Sequence, residues 1–273
     1  MNKLNTCHRI QIVRCLVEGN SLRATVRMIG MAKNTVAKLL VDLGTACERY
    51  QDEHLRNLPC RRVQCEEIWS FWFGNDKNVS AEQKMKGAGS VWTWTTIDAD
   101  TKLVPCWMVG RRDVSTAREF IGDLASRLQS KVQLTTDGFR LCLNAIEDAF
   151  GGDIDYAQLI KVYGTSGEPE TRYSPGKFIG IECQRVIGTP DPNHVSTSCV
   201  ERQNLTMGMS MRRFTRLTNA FSKKLENHMA AIALHLMYYN FARVHQSLRV
   251  TPAMEAGISN HVWSVEEIVA LLD

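Results

Sequence analysis

Two acids in this chain stand where a carboxylate gains little from core packing. Glu201 lies in His194-Val-Ser-Thr-Ser-Cys-Val-Glu-Arg-Gln-Asn-Leu205, among hydroxyl, amide and guanidinium side chains, just after the turn-like Gly188-Thr-Pro-Asp-Pro-Asn193. Ser196 or Ser198 is expected to cap a helix there, because the residues that follow favour helix apart from Thr206 and Gly208. Asp137, in Leu134-Thr-Thr-Asp-Gly138, ends an apolar run where a strand should stop. One acid closing a strand and one opening a helix are the usual materials of a divalent-metal site, which wants hard oxygen ligands.

The elements that position these acids are readable from periodicity. Residues 6–18 repeat apolar side chains at Ile10, Val13, Leu16 and Val17, a helical spacing. Gly19-Asn20 stops that helix, Ser21 caps a second over 22–29, and Lys33 or Asn34 opens a third with Val36, Leu39, Leu40 and Leu43 on its apolar face. Two short helices around a glycine-containing turn read as a helix-turn-helix, whose second helix enters the major groove with its first residues at the base edges. Lys33, Asn34, Thr35 and Lys38 have the chemistry for that role; the plainer alternative is a three-helix packing module with no ligand. Residues 44–60 carry mixed charges, Pro59 and no sustained apolar stripe. The expected organisation is a helix-turn-helix domain over 1–50 and a linker over 51–61.

From residue 63 the pattern changes to strands. Residues 63–73 are aromatic and branched, 91–97 alternate with period two, and 103–109 follow a turn at Asp98 to Thr101. A helix from Asp113 or Ser115, a strand over 132–135, a helix over 141–150 and a strand over 154–163 come next. This order, with a later acidic helix, predicts an α/β fold: a ribonuclease H-like mixed sheet with flanking helices, occupying 62–249. No Gly-rich turn follows the first strand, which excludes a dinucleotide fold. Residues 164–182, rich in glycine and proline, read as an inserted loop or hairpin beside the site. A long helix is expected over 219–244, with His228 and His235 as core histidines, and a C-terminal helical tail over 250–273.

Composition bounds the partners. The net charge of +4 hides two basic blocks. Residues 1–40 carry seven Lys and Arg against Glu18 alone, and 202–249 carry eight against Glu226 alone. Two such blocks around an acid-bearing middle predict a polyanion held at two places. No apolar run approaches the roughly 18 residues of a membrane span, and charges within residues 1–20 argue against a signal peptide. Nine cysteines without paired spacing predict a reducing cytoplasm rather than a disulfide framework.

Over essentially its whole length the chain resembles the DDE transposases of bacterial insertion sequences, the family named after insertion sequence one. The resemblance rests on Cys-Glu-Glu-Ile-Trp-Ser-Phe71, Trp92-Thr-Trp-Thr-Thr-Ile-Asp98, Thr135-Thr-Asp-Gly138, Thr197-Ser-Cys-Val-Glu-Arg-Gln-Asn-Leu205, Met211-Arg-Arg-Phe-Thr-Arg-Leu-Thr-Asn219 and Tyr238-Tyr-Asn-Phe241. It implies three acids holding two Mg2+ ions, with Mn2+ as substitute, for in-line phosphoryl displacement. Glu66, Asp137 and Glu201 match the family's catalytic and metal-binding positions. The implied partners are double-stranded DNA, both the element's terminal inverted repeats and the target, and further copies of the chain in a synaptic complex. The implied place is the bacterial cytoplasm, at the nucleoid. Arg202, Asn204, Arg212 and Arg213 join the four residues of the third helix as expected DNA contacts.

Two residues depart from the family. It has aspartate where this chain has Glu66, and a basic residue where it has Gly208. Metals about 3.5–4 Å apart tolerate little displacement, and misplacement by ~1 Å can cost about a hundredfold in rate. The sequence therefore predicts a DNA transposase with an impaired centre. The alternative is a non-catalytic, repressor-like DNA-binding derivative. Glu67 is expected to face away from Glu66, Asp98 and Asp100 to be turn residues, and Trp69, Trp72, Trp92, Trp94 and Trp107 to be core or sheet-face aromatics.

Overall fold

The computed structural model describes residues 4–138, 141–164, 178–215 and 220–273. Three helices open the chain: α1 (Thr6–Val17), α2 (Leu22–Ile29) and α3 (Lys33–His54). Asn5 caps α1 and Ser21 caps α2 through their side chains, and Gly30 ends α2 in the left-handed conformation. At the turn between α1 and α2, Gly19 has a φ of 78° and lies against the Ser210 carbonyl, where a Cβ would come within 2.7 Å.

The third helix does not stop where the sequence suggested. Residues 51–54, expected to begin a linker, are its last turn, and Gln51 is buried with its amide donating to the Ala233 carbonyl. Its buried face there is Gly44, Ala46 and Cys47, small residues that do not register as an apolar stripe. They allow a close approach to α8 (Leu225–Met237): a Cβ on Gly44 would lie 2.5 Å from the Ala230 backbone.

The middle of the chain forms β1 (Arg62–Trp72), α4 (Ala81–Met85), β2 (Gly89–Asp98), β3 (Trp107–Gly110), α5 (Val114–Arg127), β4 (Gln133–Asp137), α6 (Leu141–Phe150), β5 (Asp155–Tyr163) and β6 (Phe178–Ile187). One six-stranded sheet has the order β3-β2-β1-β4-β5-β6. The β1–β2, β2–β3 and β5–β6 pairs are antiparallel, while β4 runs parallel to both β1 and β5. The fold is thus α/β, a mixed sheet flanked by helices. Phe120, Ile121 and Leu124 of α5 are fully buried beside Trp94 of β2, which is the core side of that helix.

Three expectations need correction. The third strand begins at Trp107, not 103, because Pro105 has no N–H to offer and the Val104 N–H donates to Asn240 instead. Residues 178–182, expected in an inserted loop or hairpin, belong to β6, which pairs antiparallel with β5 and whose Phe178, Ile179 and Ile181 are exposed at the sheet edge and so show no core alternation; residues 165–177 lie outside the described residues. The long helix expected over 219–244 begins at Leu225, while Phe73 N–H donates to Ser222 O and ties that stretch to the end of β1.

The acidic helix is α7 (Ser198–Ser210), and the chain closes with α9 (Pro252–Glu255) and α10 (Val265–Ala270), the last packed on α1. His228 and His235 on α8 are buried and held neutral, their pKa values pushed down to about 3 and about 4, by burial first and then by Arg213 and Arg243 respectively. Among the described residues no helix is long and apolar enough to cross a membrane.

Candidate active site

Strand alternation decides which acids meet. Gln64, Glu66 and Ser70 of β1 face the helices α7 and α8: Gln64 Oε1 accepts from the Cys199 and Val200 N–H groups at 2.8 and 3.1 Å, and Ser70 Oγ lies 3.2 Å from His228 Nε2. The start of α7 is therefore capped across the fold by Gln64. Thr197, at the cap position, makes no side-chain cap bond and donates its hydroxyl to Glu201 instead; Ser196 Oγ accepts from Ser198 N–H at 3.2 Å.

Cys65 pairs with Thr136 in parallel register, so the next residues, Glu66 and Asp137, emerge side by side on one face. Glu201, in the first turn of α7, covers that face. Asn204, one turn later, donates Nδ2–H to Glu66 Oε2 at 2.8 Å, while Thr95 Oγ1 donates to its carbonyl oxygen at 3.3 Å. Glu66 senses both of the other acids. Burial first, then the charge of Glu201, with Asp137 adding to it, pushes the Glu66 carboxyl up to about 7, against the Asn204 hydrogen bond and the Lys161 charge.

Glu67 faces the other way, as alternation requires, and the β1–β2 register runs through it without a bulge. Its side chain is 4% exposed and pairs with Arg112, which in turn lies 4.9 Å from the Trp92 ring centroid. Burial and then Asp137 raise its carboxyl. Asp98 and Asp100 are turn residues: Asp98 accepts from the Thr101 hydroxyl and Asp100 pairs with Arg62. His194 is satisfied by Arg62, 2.8 Å away.

Besides Gln64, a lysine at the site was not singled out from the sequence. Lys161 of β5 lies 2.6 Å from Glu201 Oε1. Leu159 pairs with Asp137, so Lys161, two residues on, shares the face of the acids just past the end of β4. A single lysine in an alternating strand gives no signal of this.

In chemistry the donor set, three carboxylates with the Glu66 carboxyl raised by the charges of the other two, suits a hard divalent cation. Among the described residues no three His, Cys, Asp or Glu side chains are gathered as a ready-made metal cage.

The expected DNA contacts fall into two groups. Lys33, Asn34 and Lys38 are exposed at the start of α3, with Thr35 half-buried. Lys33, Asn34 and Lys38, but not Thr35, line a groove of about 1210 Å3 that also takes in Arg23, Arg27, Arg212, Arg213, Lys223 and Lys224, with Asp42 and Glu226 as its acids. The two basic blocks of the sequence thus meet across one cleft. Arg213 is turned inward, Nε donating to Ser222 Oγ at 2.7 Å, and burial pushes its pKa down to about 10. Arg202 is exposed, whereas Asn204 is engaged with Glu66. A Cβ on Gly208 would meet nothing within 4 Å.

No family model matches the chain, and no curated protein matches it. Among solved structures it is similar to a piggyBac transposase synaptic complex with hairpin DNA, at 12% identity and a TM-score of 0.43, covering 99% of this chain and 71% of that one. It is also similar to the Mos1 strand transfer complex, at 11% identity and a TM-score of 0.26, covering 86% and 78%.

Proposed function

We propose that the chain is a DNA transposase of the insertion-sequence type, a ribonuclease H-like DDE enzyme that cuts and joins phosphodiester backbones at terminal inverted repeats. The observation in its favour is that Glu66 feels the charges of both Asp137 and Glu201, although 135 positions separate the first of these acids from the last. In this reading they hold divalent magnesium, with manganese as substitute, two ions in all. Bound there, such ions polarise a phosphoryl oxygen and make a water or a 3′-hydroxyl nucleophilic near neutral pH.

The chain's own groups do the rest. Asn204 fixes the rotamer of Glu66, Thr197 that of Glu201, and Gln64 holds the start of α7 over β1. The basic cleft grips the DNA backbone, with residues 1–50 as the helix-turn-helix domain, Lys33, Asn34, Thr35 and Lys38 toward the bases, and Arg212 on phosphate. A pair of copies bridging two ends, in a bacterial cytoplasm at the nucleoid, completes the proposal.

The second reading, a non-catalytic DNA-binding derivative, is favoured by Glu66 and Gly208. The discriminating experiment is strand transfer of a pre-cleaved end with Mn2+, using the chain itself and the Glu66→Asp, Gly208→Arg version. Activity in both, lost in Asp137→Ala by a factor of at least about 10³, marks the enzyme. Activity in the repaired version alone marks the binding protein, and none in either sinks the transposase reading. A Cβ at Gly208 meets nothing within 4 Å, so the backbone there accepts the start of a side chain.

A further inference from the structure

The ion pair between Lys161 and Glu201 has no structural necessity on the sheet. Lys161 follows Ile160 near the end of β5, where the strand runs past its neighbour β4, and both partners of the pair are 35% exposed. Such half-exposed pairs contribute little to stability. Yet this ammonium lies on the face of the three acids and contacts the oxygen of Glu201 that also takes the Thr197 hydroxyl. It stands where positive charge is most wanted.

We propose that Lys161 is a resident counter-ion of the acid cluster, which a divalent cation must displace from Glu201 before the three carboxylates can close on it. The proposal rests on the metal-site reading above. It accounts for how the acids are held: Glu201 by Lys161 and the Thr197 hydroxyl, Glu66 by the Asn204 amide. While Lys161 is seated, Glu201 is committed to β5. When a cation enters, Glu201 turns toward Glu66 and Asp137, and the freed ammonium is left beside the site, able to meet a phosphate oxygen.

Mn2+ binding to the full chain, followed by electron paramagnetic resonance of the free ion, tests this without any turnover. Lys161→Gln is expected to bind Mn2+ about tenfold more tightly than the wild type, since a unit charge near the ion is removed. Lys161→Arg, which keeps the pair, should stay within about twofold of wild type. Lys131→Gln breaks a comparable pair with Asp155 at the opposite end of β5 and should change nothing. Thermal melting of each variant establishes that it is folded. Equal or weaker Mn2+ affinity in Lys161→Gln, or equal tightening in Lys131→Gln, overturns the counter-ion role. If wild-type binding is nonetheless lost in Asp137→Ala, the metal-site reading survives that failure. Absence of Mn2+ binding in both wild type and Lys161→Gln overturns the two together.

Discussion

Glu66 carries a longer side chain into a place where charge is crowded, and that has a consequence for stability. Its carboxyl is raised from 4.5 to about 7 in the folded protein, so the folded state holds the proton more firmly than the unfolded chain. Below pH 4.5 both states are protonated and nothing is lost. As pH rises from 4.5 to 7 the unfolded state ionises more readily, and folding loses stability until the curve flattens above 7. Glu66→Gln removes this effect and still offers Asn204 an acceptor. It is expected to be more stable than wild type by about 3 kcal/mol at pH 8 and equal to it at pH 4. Urea unfolding at the two pH values checks this, and a difference that ignores pH would discard the buried-charge account. At this scale the places of Asp137 at the end of β4 and Glu201 in the first turn of α7 were legible, because each marks the end of an element. Lys161 and Gln64 were not, because their roles depend on partners 40 and about 135 residues away, which no local pattern encodes.

Helices and strands were legible where one face is apolar and the other polar. The first two helices, α5 and α6 follow their periodicity closely. The misreadings have common physical causes. A helix buried through small side chains shows no stripe, which hid the second half of α3. An edge strand with exposed apolar residues shows no core alternation, which hid β6. A proline within a pairing segment shortened β3. The α3–α8 contact gives a prediction with an informative sign. Helix propensity alone makes Gly44→Ala stabilising by about 1 kcal/mol. The 2.5 Å approach to the Ala230 backbone instead requires a shift that costs about 1–3 kcal/mol. The variant is therefore expected to unfold at lower urea concentration than wild type. A stabilised Gly44→Ala would mean that the two helices stand further apart.

At the scale of the whole molecule, the two basic blocks suggested by charge counting become the walls of one cleft. The sequence foretold two grips on a polyanion but not their meeting, which depends on α3 lying along α8. Lys33→Ala with Lys38→Ala is expected to weaken DNA binding and to flatten the plot of log affinity against log salt by about 2, one for each phosphate no longer neutralised. Lys38 also pairs with Asp42 along its helix, an exposed pair that yields readily to phosphate. An unchanged slope would remove the start of α3 from the DNA surface. The seventh helix joins these two halves of the molecule. Glu201 stands at its beginning, and its last residue, Ser210, lies on the cleft and against the turn at Gly19. Nine rises of 1.5 Å separate them, about 14 Å or roughly four base-pair steps. If the chain cuts DNA as proposed, that strut would act as a ruler: where the duplex is clamped would dictate which bond reaches the carboxylates, so the cut site would be measured by the protein's skeleton rather than read from the bases beside it.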